Sequence, residues 1–298
     1  MGEIMKVFKK AICYFVLSTL FVLCSWTAVS AAPKGTVTIA IPADLSLDFF
    51  NSKSANGRMG LGQIYQTLGT YNPSGTDRVP QLAKSWKLGK KGMSLEINLD
   101  ERARFENGDP VTCHDVKFSW QQFATGTSAY RSNARLIKDI QISGDHSCVM
   151  LFKRPNADWK NEYLRMRIAS KNYYEKVGKK QFTKKPMGSG PFRFVKRSAG
   201  TSFVLEAVDN HWLKTAEFKT MKFMIVPDAV TRMALLEKGT ADFTYPVDPF
   251  HLARLEKSKK IKVKTVVVPS LFSVGFNSFR FDVMADKNLR LAIRSEER

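Results

Sequence analysis

Two short segments constrain the fold of this chain more than any other feature. Residues 105–120 read FENGDPVTCHDVKFSW, and residues 187–192 read MGSGPF. The first segment is a polar turn that leads into a helix, because Thr112 and Asp115 have the spacing of a capping box. The second ends in Gly-Pro, which favours an extended crossing over a helix. The pair therefore predicts one capped helix and one extended crossing.

Strands and helices are mixed along the whole sequence, which excludes an all-helical or all-β architecture. Alternating apolar residues predict a strand over residues 94–99, and Val116, Trp120 and Phe123 continue the helix that Thr112 caps. Further strands are predicted over residues 37–41, 203–208, 221–226, 241–245, 261–268 and 273–276. Further helices are predicted over residues 60–68, 227–239 and 249–257, and from residue 286 onward.

Residues 1–31 have the organisation of a secretory signal peptide. Three lysines precede an apolar run over residues 11–24, which is too short to span a bilayer comfortably. Small residues at positions 29–32 suit cleavage. We therefore expect an exported chain, periplasmic or extracellular, whose mature part begins near Ala32 or Pro33.

The chain contains four cysteines. Cys13 and Cys24 leave with the signal segment, and a lipid anchor at Cys24 is not expected because the bulky Leu23 precedes it. Cys113 and Cys148 stay in the exported part, where oxidising conditions permit a disulfide. Sequence spacing does not establish that their Cα atoms lie within bonding range, so a bridge and two free thiols both remain open.

The chain is strongly basic, with a formal net charge of +20 at pH 7. The electrostatic field of a chain with this charge attracts anionic partners such as lipid headgroups, acidic ligands or nucleic acid. The charges are scattered, however, and only residues 257–264 concentrate them, where alternation with Ile261 and Val263 predicts a strand with one solvated face. A solvated basic surface is therefore favoured over a nucleic-acid site.

The sequence carries no recognisable catalytic or metal-binding motif. Proline follows the Gly188, Ser189 and Gly190 run, which does not fit a nucleophile elbow, and no Lys-Ser or Lys-Thr follows it as in a phosphate loop. His114 beside Cys113 has no second ligand at the spacing of a zinc site. We expect no enzyme activity, no cofactor and no metal.

Motifs along nearly the whole sequence resemble the peptide/nickel-type extracellular solute-binding proteins of ABC importers, known as family 5. The matching segments are residues 64–68, 80–86, 95–99, 102–111, 115–119, 188–192, 210–212, 227–242, 276–277 and 290–293. The resemblance implies an α/β fold with two lobes, the type II periplasmic-binding-protein fold, extended by the small α+β subdomain of the peptide-binding class.

The resemblance also implies a division of the chain. Lobe I is expected over residues 32–65 and 186–270, the small subdomain over 66–185, and a hinge crossing with the start of lobe II over 271–298. Relatives continue well beyond the point where this sequence stops, so we expect a second lobe that is incomplete, a truncated member and weak ligand binding.

The function that the resemblance implies is capture of a peptide or similar small solute between two lobes, for delivery to ABC permease subunits. A monomer that binds no nucleic acid is expected. A non-functional remnant and a basic secreted polyanion-binding protein remain alternatives. The candidate ligand-binding residues by resemblance are Asn56, Arg58, Met59, Tyr130, Arg165, Arg167, Tyr245, Phe272 and Asn277.

Overall fold

The computed structural model describes residues 33–52, 55–265, 286–289 and 292. The strands are β1 (Thr36–Ile41), β2 (Gly69–Tyr71), β3 (Arg78–Pro80), β4 (Ala83–Leu88), β5 (Ser94–Leu99), β6 (Ile137–Gly144), β7 (Ser147–Phe152), β8 (Phe192–Ser198), β9 (Ser202–Ala207), β10 (Thr220–Ile225) and β11 (Phe243–Thr244). The helices are α1 (Ala55–Ile64), α2 (Cys113–Thr125), α3 (Arg131–Ala134), α4 (Trp159–Tyr163), α5 (Lys171–Lys184), α6 (Ala229–Glu237) and α7 (Pro249–Glu256). Within these residues, no helix is both long and apolar enough to cross a membrane.

The larger sheet has five strands in the order β11, β1, β10, β9, β8. β1 runs parallel to both β10 and β11, whereas β9 runs antiparallel to β10 and β8. The first strand of the chain therefore lies between strands that follow it by well over a hundred residues. This sheet is mixed, as the α/β expectation requires.

The second sheet is antiparallel, with four strands in the order β4, β5, β7, β6. Along β5 the buried residues Leu95, Ile97 and Leu99 alternate with more exposed neighbours, so the strand predicted over residues 94–99 is confirmed. β7 repeats the pattern with Cys148, Met150 and Phe152 on its buried face. A separate two-stranded sheet joins β2 to β3.

By internal contacts the chain forms two compact units, Met1–His251 and Leu252–Arg298. The first unit holds all three sheets and one continuous hydrophobic core. The expected boundaries of lobe I and the small subdomain stay a prediction. In the second unit, α7 ends at Glu256 and residues 257–265 form a turn and irregular chain.

The two signature segments of the sequence meet in the fold. The backbone N–H of Glu106 donates a hydrogen bond to the carbonyl of Gly188 at 2.9 Å, and Gly190 donates to the carbonyl of Ile64 at the end of α1 at 2.7 Å. The indole N–H of Trp212 donates to the carbonyl of Ser189 at 3.2 Å. The Gly-Ser-Gly-Pro segment is therefore an extended crossing tied to three separate parts of the chain.

Most of the predicted elements are present, with shifted ends. The strand over residues 37–41 and the helices after residues 112 and 227 are confirmed, whereas the first helix ends at Ile64 and not at residue 68. The strand predicted over residues 261–268 is wrong over its described part, because residues 261–265 have no regular structure. Apolar residues that alternate with charged ones indicate a strand only where a neighbouring strand is available for pairing, and residues 261–265 pair with none among the described residues.

The capping box of α2 also holds the start of α5. One carboxylate oxygen of Asp115 accepts from the N–H and the hydroxyl of Thr112, each at 2.9 Å, and the other accepts from the N–H of Lys171 at 2.8 Å. Burial raises the pKa of Asp115, while these donors act in the opposite direction. One buried side chain thus fixes two helix starts.

Replacing Asp115 with alanine is expected to lower the free energy of unfolding by about 2 kcal/mol, because buried donors at both helix starts lose their acceptor. The midpoint of urea unfolding measures this change. The exposed Asp145 is the matched control, and its alanine variant is expected to stay within about 0.5 kcal/mol of the parent chain. Equal midpoints for the two variants would show that Asp115 fixes neither helix.

Candidate functional site

A cavity of about 70 Å³ lies where five separate parts of the first unit converge. The segment before α1, α1 itself, α2, the loop that leads into α3 and the segment after α4 all contribute to its wall. The lining residues are Phe49, Ser52, Leu61, Phe123, Ser128, Ala129, Tyr130, Arg165 and Arg167. Apolar rings and methyl groups thus surround two guanidinium groups, a combination typical of ligand pockets.

Tyr130 is held in place from both ends of its side chain. Its hydroxyl donates to the carbonyl of Glu162 at 2.9 Å, and its ring packs edge-on against Phe123 with centroids 5.3 Å apart. Burial raises the pKa of Tyr130, so the phenol is neutral at physiological pH. The guanidinium carbon of Arg165 lies 5.5 Å from the ring centroid, within the range of a cation–π contact.

The two arginines share a face because of the pattern around them. Leu164, Met166 and Ile168 are fully buried, and the intervening Arg165 and Arg167 point the other way. Arg165 forms an ion pair with Glu162 at 3.0 Å and is 43% exposed. Arg167 is half-buried, and its backbone bridges to Thr67. The backbone therefore aims both guanidinium groups at one cavity.

Ser52 adds a polar atom to the cavity wall. The residue is 9% exposed, and its hydroxyl oxygen is buried without a hydrogen-bond partner among the described residues. Buried polar atoms are nearly always paired, so this hydroxyl has hydrogen-bonding capacity that the described residues do not use. The hydroxyl and the guanidinium groups together suit a ligand rich in acceptor oxygens.

The structure brings together three of the nine residues that the family resemblance suggested: Tyr130, Arg165 and Arg167. Met59 packs partly buried against the core, and Tyr245 is 53% exposed beside β11, and neither lines this cavity. Asn56 and Arg58 lie in α1, and their side chains are outside the described part. Phe272 and Asn277 also lie outside the described residues. Binding by any of the nine stays a prediction.

The sequence reasoning missed most of the cavity wall. Leu61 and Phe123 were predicted only as apolar positions of helices, and no local signal marked Phe49, Ser52 or Ser128. These residues become site residues only through tertiary packing, which a single sequence does not display.

A second cavity of about 260 Å³ adjoins the glycine crossing. Two of its polar side chains have partners in the fold: a ring nitrogen of His211 lies 2.9 Å from the carbonyl of Ser189, and Trp212 donates to Gln66 at 3.0 Å. Burial raises the pKa of Glu106 and lowers the pKa of His211. Among the described residues no cluster of His, Cys, Asp or Glu could hold a metal ion.

The mixed sheet and the antiparallel second sheet form the type II α/β fold of periplasmic binding proteins. Residues 77–295 match the model of the bacterial extracellular solute-binding proteins, family 5 (middle). The chain belongs to this family.

Two curated relatives illustrate the match. The chain is 25% identical over 241 residues to heme-binding protein A of Haemophilus influenzae, an alignment that covers 72% of this chain and 44% of the relative. It is 26% identical over 222 residues to the oligopeptide-binding protein AppA of Bacillus subtilis, and this alignment covers 71% of this chain and 40% of AppA. The chain thus spans less than half the length of these relatives.

Solved structures show the same fold. The periplasmic binding protein DppA of Helicobacter pylori, in complex with the peptide STSA, aligns with a TM-score of 0.69 at 22% identity, over 76% of this chain and 50% of that one. NikZ of Campylobacter jejuni, in complex with Ni(L-His), aligns with a TM-score of 0.67 at 22% identity, over 76% and 46%. The expected type II fold is therefore confirmed.

Proposed function

We propose that this chain supplies part of the binding site of an ABC importer, capturing a peptide or similar small solute that carries a carboxylate. In this proposal it acts outside the cytoplasm, as a monomer, and delivers the solute to membrane permease subunits. The observation that carries the proposal is the cavity where Tyr130, Arg165 and Arg167 converge.

The chemistry of the wall supports an anionic ligand group. A guanidinium presents five N–H donors in a planar fork that matches a carboxylate, and the Arg165 fork can serve Glu162 and a ligand at the same time. The hydroxyl of Ser52 offers one more donor. The peptide and the nickel–histidine complex bound by the two relatives in the solved structures also carry carboxylates.

The size of the cavity limits what it can hold. Sites for drug-sized ligands measure about 300–1,000 Å³, whereas this cavity measures about 70 Å³. It therefore suits one end of a ligand, such as a terminal carboxylate with a small side chain. The rest of the solute would lie outside this cavity.

A comparison of charged and neutral peptide ends tests the proposal. The purified chain is offered a pool of free-acid tetrapeptides and the same pool with amidated C-termini, and retained peptides are measured by mass spectrometry. We expect about tenfold tighter binding of the acids, equivalent to about 1.4 kcal/mol, because the amides lose a charge-assisted hydrogen bond.

Two arginine variants make the test specific. Arg167→Met is expected to abolish the preference for free acids, because it removes one guanidinium from the cavity. Arg102→Met is the matched control, since Arg102 is 71% exposed, pairs with Asp100 and does not line the cavity. Equal retention of acids and amides by the parent chain, or an unchanged preference in Arg167→Met, would contradict the proposal.

A further inference from the structure

Two buried thiols lie side by side at the start of α2. Cys113 is the first residue of this helix and is 0% exposed, while Cys148 lies on β7 and is 2% exposed. Both are free thiols in the structure. Neither lines the cavity proposed to bind solute, so the proposed function leaves the pair unused.

The fold, and not the sequence spacing, brings the two residues together. The turn between β6 and β7 sits on the start of α2, where the N–H of Cys113 donates to the carbonyl of Asp145 at 2.7 Å. Cys148 pairs with Ile97 on one side and Ile142 on the other, which turns its side chain toward the buried face of the sheet. The backbone therefore holds both thiols in one pocket of the core.

The surroundings of the Cys113 thiol include the Cys148 thiol. The hydrogen bond between them, together with burial, raises the pKa of Cys113 far above its ordinary value. Because both residues are buried, an oxidant cannot reach their sulfur atoms in the folded chain. A bond between them must therefore form while the chain is still folding and both sulfur atoms are accessible.

We propose that Cys113 and Cys148 form a structural disulfide that ties the start of α2 to the β6–β7 hairpin. The proposal rests on the export stated under the proposed function, since disulfides persist in oxidising compartments. The bond would close the loop that contains all of α2, α3 and β6. Loop closure restricts the unfolded chain, and so stabilises the folded one.

The chemistry is a thiol–disulfide exchange with the disulfide of an oxidant, either an exported oxidoreductase or glutathione disulfide. The thiolate of one cysteine attacks the oxidant and forms a mixed disulfide, which releases one thiolate of the oxidant. The second cysteine then loses its proton and attacks the mixed disulfide. The Cys113–Cys148 bond forms, and the oxidant leaves as two thiols that have taken up the two protons of the cysteines.

The test uses the full chain recovered from an oxidising compartment and denatured in iodoacetamide without reductant. The expected product carries no alkyl group on Cys113 or Cys148, and its intact mass is lower by two hydrogens than that of the reduced chain. Thermal unfolding with and without dithiothreitol is expected to differ by about 6–10 °C. Alkylation of both cysteines in the denatured sample would overturn the proposal.

A double variant, Cys113→Ala with Cys148→Ala, controls for other effects of the reductant and is expected to unfold at one temperature with or without dithiothreitol. An equal shift in this variant would also overturn the proposal. Refolding the reduced chain in a glutathione redox buffer tests the cysteine pairing independently of export. Bond formation in that buffer supports the pairing even for a chain that stays in the cytoplasm. Peptide retention reports the proposed function independently.

Discussion

Replacing Gly190 with alanine is expected to lower the free energy of unfolding by about 3–5 kcal/mol. A Cβ atom at this position would lie 2.6 Å from the carbonyl oxygen of Ile64 and would also press on the carbonyl oxygen of Gln63. Both obstacles are backbone atoms at the end of α1, which cannot rotate away. The clash would also break the 2.7 Å hydrogen bond from the Gly190 N–H to Ile64. Urea unfolding followed by tryptophan fluorescence measures the loss.

Gly144 provides the matched control for this variant. It is exposed at the end of β6, and a Cβ atom there would meet nothing within 4 Å. Gly144→Ala is therefore expected to stay within about 0.5 kcal/mol of the parent chain. If Gly190→Ala unfolds at the same urea concentration as Gly144→Ala, the crossing does not pack against α1 as described here.

The elements that were predictable from sequence are those whose signals are local. The capping box at Thr112 and Asp115 forms as its spacing indicated, and β5 alternates as its apolar residues indicated. Asp228 likewise caps α6 by accepting from the N–H of Thr231 at 2.7 Å. Each of these signals lies within a few residues, so tertiary packing did not change the structure that the local sequence favours.

The elements that were missed have weak or broken local patterns. β6 pairs with β7 through register shifts at Ile137/Asp139 and Ile142/Gly144, and such bulges interrupt in β6 the period of two that identifies a strand. α5 carries many charged residues and buries only Phe182, and Gly178 within it has a positive φ of 75°. The amphipathic pattern of α5 is therefore too weak to predict a helix from the sequence, although the structure contains one.

The residues of the candidate site also fall into two groups, those that the sequence suggested and those that it did not. Tyr130, Arg165 and Arg167 were found because segments of the sequence resemble a family, and the apolar alternation of Leu164, Met166 and Ile168 explains why the two arginines face one way. Residues such as Ser52 carry no signal of their own. They line the cavity because distant segments pack around it, which is a property of the fold.

Truncating Phe182 to alanine is expected to cost about 3–5 kcal/mol of unfolding free energy, because it opens a cavity at the centre of an aromatic cluster. The Phe182 ring is 2% exposed and stacks on Phe50 with centroids 5.8 Å apart. It also contacts Tyr174 at 5.1 Å and Tyr65 at 6.2 Å. The ring therefore joins α5 to the segment before α1. The midpoint of urea unfolding measures the loss.

The position of the ring, and not the loss of any aromatic group, should determine this cost. Phe250 is 95% exposed on α7, so Phe250→Ala removes the same atoms from a solvated site and is expected to change stability by less than about 0.5 kcal/mol. Phe182→Leu keeps most of the buried volume and should lose clearly less than Phe182→Ala. If Phe182→Ala and Phe250→Ala unfold at the same urea concentration, α5 does not pack into the core. The contact of Phe182 with Phe49, whose ring centroids lie 6.4 Å apart, would then not support the wall of the Tyr130 cavity.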